Sequence, residues 1–152
     1  MMLALQVPVL QSLDVKGVPA DMLNRILVVD DSAALHQIYK ITLSRYKCDV
    51  IPALGGQEGL NRLTDNTDIS LMIVDANMPH MSGLEFIKLV KEQEAYKSIP
   101  IIVVSTRGND EDSEEAVAFA QGNLRKPFTS TEVHALIEKL FPEYLAVIGK
   151  AE

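Results

Sequence analysis

From Arg25 onward, short apolar runs alternate with stretches whose apolar residues recur at helical spacing. The runs are "ILVV" (26–29), "CDVIPA" (48–53), "SLMIV" (70–74), "PIIVVS" (100–105) and "NLRK" (123–126). The first, third and fourth are continuous and rich in β-branched residues, the pattern of strands covered on both faces. Pro52 in the second run has no N–H for a ladder, which places that run at a sheet edge. The fifth run is short and polar and also suits an edge.

Helical segments lie between the runs. Ser32 is placed to cap a helix carrying Leu35, Ile38, Thr42 and Leu43. "GGQEGLNRLTD" follows the second run and "SGLEFIKLVKEQE" the third. "DEDSEEAVAFAQ" follows the fourth, with acids in its first turn where the helix dipole favours them. "TSTEVHALIEKLF" closes the series, with Thr129 and Glu132 spaced as a capping box. Strand–helix alternation repeated five times predicts an α/β fold, a doubly wound parallel sheet with right-handed crossovers.

The boundaries follow from the same pattern. One domain is expected over 23–141, with a tail over 142–152 and an extension over 1–22. The extension carries Pro8 and Pro19 and no clear period. It reads either as a docking arm or as a mis-assigned start ahead of Met22.

Composition narrows the classes. The chain has 152 residues, 47% of them hydrophobic, and a net charge of -7. That suffices for one core. The acidic balance argues against nucleic acid as a partner, because phosphate binding needs Lys and Arg. A single cysteine, Cys48, forms no internal disulfide and fits a reducing compartment. No apolar run approaches the ~20 residues of a membrane helix. "MMLALQVPVLQSL" has no basic residue before it and makes a poor signal peptide. A soluble, cytoplasmic protein without membrane partners is expected.

In an open parallel sheet, ligands gather at the carboxyl ends of the strands. There the first run ends in Asp30 and Asp31, the third in Asp75, the fourth in Ser105 and Thr106, and the fifth in Lys126, followed by Pro127. Taken singly, each has a plain reading: "DDS" as a helix cap, Asp75 as a turn former, Lys-Pro as a turn. Their joint occurrence on one sheet edge carries more weight. Clustered carboxylates cannot all ionise cheaply. A hard divalent cation such as Mg²⁺, which takes oxygen ligands, compensates them. Metal, ammonium and hydroxyl together suit the charge on a transferring phosphoryl group. Asp75, alone on a central strand, is the natural nucleophile.

With "ILVVDDS" (26–32), "MIVDANMPHMSGLEFI" (72–87), "PIIVVST" (100–106) and "KPF" (126–128), the sequence resembles the receiver domain of two-component response regulators, close to the single-domain chemotaxis type. The resemblance covers about 23–141. It implies a (βα)5 flavodoxin-like sheet in strand order 2-1-3-4-5. It implies Mg²⁺ on Asp30, Asp31, Asp75 and the backbone carbonyl of Asn77. Asp75 would accept the phosphoryl group, with Ser105, Thr106 and Lys126 completing the catalytic set and a cis bond before Pro127. The donor would be a sensor histidine kinase or phosphotransfer protein. The protein would catalyse only its own phosphorylation and dephosphorylation. Output would pass to a downstream protein through residues 110–139.

Three features depart from the family pattern. Asn123 holds the switch position, where an aromatic ring usually moves inward. The segment from Ser105 to Lys126 is one residue short. Thr106 stands where Ala is common. The expectation is a complete phosphoacceptor site with an altered output motion. Two other classes compete. An aspartate-nucleophile phosphatase would want an Asp two positions after the nucleophile, where this chain has Asn77, and a cap domain. A pseudo-receiver adaptor, acting without phosphorylation, is the other.

Overall fold

The computed structural model describes residues 23–106 and 110–142. Its strands are β1 (Arg25–Val29), β2 (Asp49–Ala53), β3 (Ile69–Asp75), β4 (Ile101–Ser105) and β5 (Gly122–Arg125). Among the described residues they alternate with α1 (Ala33–Leu43), α2 (Gly56–Asp65), α3 (Gly83–Lys91), α4 (Glu111–Ala118) and α5 (Ser130–Leu140). A 3-10 turn over Ser44–Tyr46 follows α1. All strand pairs are parallel, in the order β2-β1-β3-β4-β5. This is the doubly wound α/β sheet that the strand–helix alternation predicts.

The continuous apolar runs serve two cores at once. Ile26, Val28, Leu71, Ile73, Ile102 and Val104 face one cluster, with α1 and α5. Leu27, Val29, Met72, Val74, Ile101 and Val103 face the other, with α2, α3 and α4. Successive strand side chains point to opposite faces, so a strand covered on both is apolar through most of its length, with the hydrogen-bonded Ser70 the polar exception inside β3. β3 and β4 are buried throughout. The half-exposed β2, with Pro52, and β5 lie at the two edges.

Chain order reverses between β1 and β3, which are hydrogen-bonded neighbours although β2 lies between them in sequence. One connection leaves towards β2 and the other towards β4. This opens a crevice at the carboxyl ends of the two central strands.

Local signals set the helix starts. Ser32 accepts from the Leu35 N–H, Asp110 from the Ser113 N–H, and Ser82 and Thr129 each form a reciprocal capping box with Glu85 and Glu132. The face of α1 agrees with the expected one at Leu35, Thr42 and Leu43 and departs from it at Ile38. His36, Tyr39, Thr42 and Leu43 turn inward, while Ile38 is 47% exposed. The inward stripe runs through a histidine and a tyrosine, which a purely aliphatic period overlooks.

The expectations for residues 1–22 and, apart from Pro142, for 142–152 lie outside the described residues. Among the described residues, no helix is long and apolar enough to cross a membrane.

Candidate functional site

Asp30 continues the line of β1, because its N–H donates to the Ala53 carbonyl at 3.0 Å. Its carboxylate is buried and accepts from the Ser32 N–H at 2.8 Å. Asp75 ends β3 opposite Val104. It is buried too, and its Oδ1 accepts from the Asn77 N–H at 3.1 Å. Each aspartate thus closes an Asx turn that ends a strand and holds the carboxylate at the crevice. Asp31 follows and is exposed. Carboxylate oxygens of Asp30, Asp31 and Asp75 lie within 4.8 Å of one another.

Lys126 enters from the other side. Its N–H donates to the Ser105 carbonyl at 2.8 Å, extending the β4–β5 pairing. Its Nζ then lies 3.3 Å from Asp75 Oδ2 and 3.4 Å from Asp30 Oδ2. The Lys126–Pro127 peptide is cis. Ser105 is buried at the end of β4. Thr106 is exposed, and its hydroxyl accepts from the Asn77 side-chain amide at 3.2 Å. Asn123 sits on β5 opposite Val103, exposed and outside this cluster.

Burial raises the Asp75 carboxyl above the usual carboxylate range, and the charge of Asp30 adds to this. The Asn77 N–H and Lys126 pull the other way without cancelling it. Among the described residues, three carboxylates face one ammonium, which leaves an uncompensated negative charge. Hard oxygen donors so close together fit Mg²⁺, which keeps several waters and needs only a partial protein shell.

Three further residues shape this edge without having been singled out from the sequence. His36 Nε2 lies 2.7 Å from the Asp30 carbonyl and 3.1 Å from the Ala53 carbonyl. Both partners only accept, so Nε2 carries the hydrogen and ties β1 to β2 beneath the acids. Tyr39, one helical turn later on α1, is fully buried on the same side. The i, i+3, i+7 series His36, Tyr39, Leu43 was the available signal. Gly83 lets α3 start against the end of β3. A Cβ there would meet the Asp75 carbonyl oxygen and stand 2.8 Å from Ala76 Cα.

The comparisons with known proteins agree with this geometry. The family model for the response regulator receiver domain matches residues 26–138. A chemotaxis protein CheY homolog of Campylobacter jejuni is 41% identical over 107 residues, covering 69% of this chain and 82% of the relative. CheY1 of Helicobacter pylori is 41% identical over 108 residues, 69% of this chain and 86% of the relative. The crystal structure of Vibrio cholerae CheY4 superposes with a TM-score of 0.68 at 31% identity, covering 77% of this chain and 98% of that one. With two buried aspartates closing the central strands, a lysine reaching across to both, and these relatives, the chain belongs to the response regulator receiver domain family of two-component signalling.

Proposed function

We propose that the protein accepts a phosphoryl group on Asp75 from the phosphohistidine of a sensor kinase or phosphotransfer protein, in a Mg²⁺-dependent reaction. The observation that carries this reading is the buried Asp75 carboxylate, hydrogen-bonded by Lys126 inside a cluster of three aspartates. An Asp75 carboxylate oxygen attacks phosphorus, a P–O bond forms and the P–N bond to the donor imidazole breaks. Asp75 must be ionised to attack. Lys126 favours that form against the burial that opposes it. Asp30, Asp31, Asp75 and the Asn77 backbone carbonyl would hold Mg²⁺, which when bound neutralises charge on the phosphoryl oxygens. Lys126 and the Ser105 hydroxyl would take those oxygens on the opposite side, with Thr106 at the exposed rim. Water later cleaves the acyl phosphate and releases inorganic phosphate. The only chemistry is this gain and loss of one group.

Added charge on Asp75 draws in Ser105 and Lys126 and biases the surface beyond them. Output passes to a protein partner through residues 110–139, in the cytoplasm and without nucleic acid or membrane. Asn123 brings no ring to the usual relay, so the output motion differs from the family pattern.

The test is intact mass after incubation with acetyl phosphate and Mg²⁺, for wild type and Asp75→Ala. A single phosphoryl adduct on wild type, absent from the variant and lost with chelator, is expected. An adduct that persists in Asp75→Ala would move the acceptor elsewhere. No adduct in either protein, even with kinase, would favour the adaptor reading.

A further inference from the structure

Tyr39 takes no part in the chemistry proposed above, yet its placement is unusual. It is fully buried on the inner face of α1, and its ring stacks on Phe128 with centroids 5.5 Å apart and planes at 28°. Its hydroxyl has no hydrogen-bond partner among the described residues. A buried O–H left unpaired is costly, and phenylalanine would fill the same space without that cost. Helical side chains lean towards the helix N-terminus. α1 starts at Ala33, just after Asp30 and Asp31, so this lean is towards the end of the helix nearest the aspartates. Burial, with the charges of Asp30 and Asp75 adding to it, raises the phenol's pKa far above its ordinary range, which keeps it a donor.

One of those aspartates offers a complementary acceptor. Asp30 Oδ2 is buried and accepts no hydrogen bond among the described residues. Its ion pair with Lys126 spans 3.4 Å. Phe128, the ring against Tyr39, stands two residues beyond Lys126 on the same segment.

We propose that Tyr39 is a positioning residue for Asp30, its hydroxyl unpartnered while Lys126 bridges Asp30 and Asp75, and donated to Asp30 Oδ2 once Lys126 turns to a phosphoryl group on Asp75. The inference rests on Asp75 as the acceptor. A carboxylate that holds a cation is oriented by a donor behind it, and a phenol that stays protonated serves. The proton remains on the phenol oxygen throughout. Displacement of Lys126 also reaches α1 through the Phe128–Tyr39 stack, a route that needs no aromatic ring at position 123.

The test compares thermal melting of wild type and Tyr39→Phe in chelator, in a Mg²⁺ titration, and in Mg²⁺ with beryllofluoride as a stable stand-in for the phosphoryl group. Intact mass after acetyl phosphate runs alongside. Tyr39→Phe keeps the ring and loses only the hydroxyl. In chelator the variant should melt at or above wild type. Its gain with Mg²⁺ and beryllofluoride should be smaller, and its Mg²⁺ midpoint measured with beryllofluoride present about tenfold higher. Equal gains and equal midpoints would overturn the proposal. So would a variant that melts well below wild type in chelator, because the hydroxyl would then already be paired at rest. If wild type gains no mass and no stability, the acceptor reading itself fails and the proposal falls with it. If wild type responds and the variant matches it, only the role of Tyr39 fails.

Discussion

Lys126 Nζ lies 3.3 Å from Asp75 Oδ2, across 51 positions of sequence. The same ammonium stands 3.4 Å from Asp30 Oδ2. It is the cation that lets two buried carboxylates share one crevice. Both aspartates are almost wholly buried, and the lysine side chain is 23% exposed. Removing it leaves charge in a poorly solvated place, which is far more costly than losing a surface pair. Lys126→Ala should therefore lose about 3 kcal/mol at neutral pH in chelator, the lower end for a broken buried pair because the lysine is partly solvated. Urea denaturation measures this, and millimolar Mg²⁺ should recover part of the loss.

Asp75 itself opposes folding at neutral pH. Burial, the largest cause, raises its folded-state carboxyl above the unfolded value. A raised carboxyl contributes stability that is complete below the unfolded pKa and lost as pH rises through the folded one. Asp75→Asn should accordingly melt above wild type at pH 7 in chelator. The two curves should converge as pH falls below the unfolded carboxyl's value of about 3.9, where the aspartate is protonated in either state. A gap that stays constant with pH would rule out the carboxylate as its source.

Asp31 is the exposed member of the cluster, yet its oxygen lies within 4.8 Å of the other two. Asp31→Asn should raise the melting temperature of the metal-free protein by relieving repulsion. It should also shrink the stabilisation by Mg²⁺. For wild type that stabilisation reaches about 2.7 kcal/mol once Mg²⁺ stands at a hundred times its dissociation constant. Differential scanning calorimetry with and without chelator separates the two effects.

Gly83 sits where α3 touches the end of β3, and its N–H donates to the Ala76 carbonyl at 3.1 Å. A methyl group there would meet the backbone of Asp75 and Ala76, which has no flexible end to give way. Gly83→Ala should cost about 1–3 kcal/mol as an overpacked contact. Because the displaced atoms include the backbone of Asp75, the proposed acceptor, the rate of adduct formation from acetyl phosphate should fall as well. A loss of stability with an unchanged rate would show that the strand end tolerates the shift.

The strands and helix caps were legible because their signals are local. Three β-branched runs became strands buried on both faces, and Pro52 went to an edge strand. Thr129 and Glu132 formed the capping box their spacing suggests. The inward face of α1 was less legible. Counting aliphatic residues favours Leu35 and Ile38, but the core takes His36 and Tyr39, and Ile38 points out. An imidazole reads as polar until two carbonyls are found for it, and those belong to Asp30 and Ala53.

The sequence alone determined which residues stand at the strand ends, because strand and helix periods are set by neighbours a few positions apart. It thereby determined that Asp30, Asp31, Asp75, Ser105 and Lys126 share one edge of a parallel sheet. Only the tertiary structure decided what touches what. Lys126 bridges Asp30 and Asp75, Asn77 donates to Thr106, and Tyr39 is buried with its hydroxyl unpartnered among the described residues. These relations depend on how strands pack side by side and how far side chains reach. Those distances are fixed by the burial of two cores, and no local period encodes them.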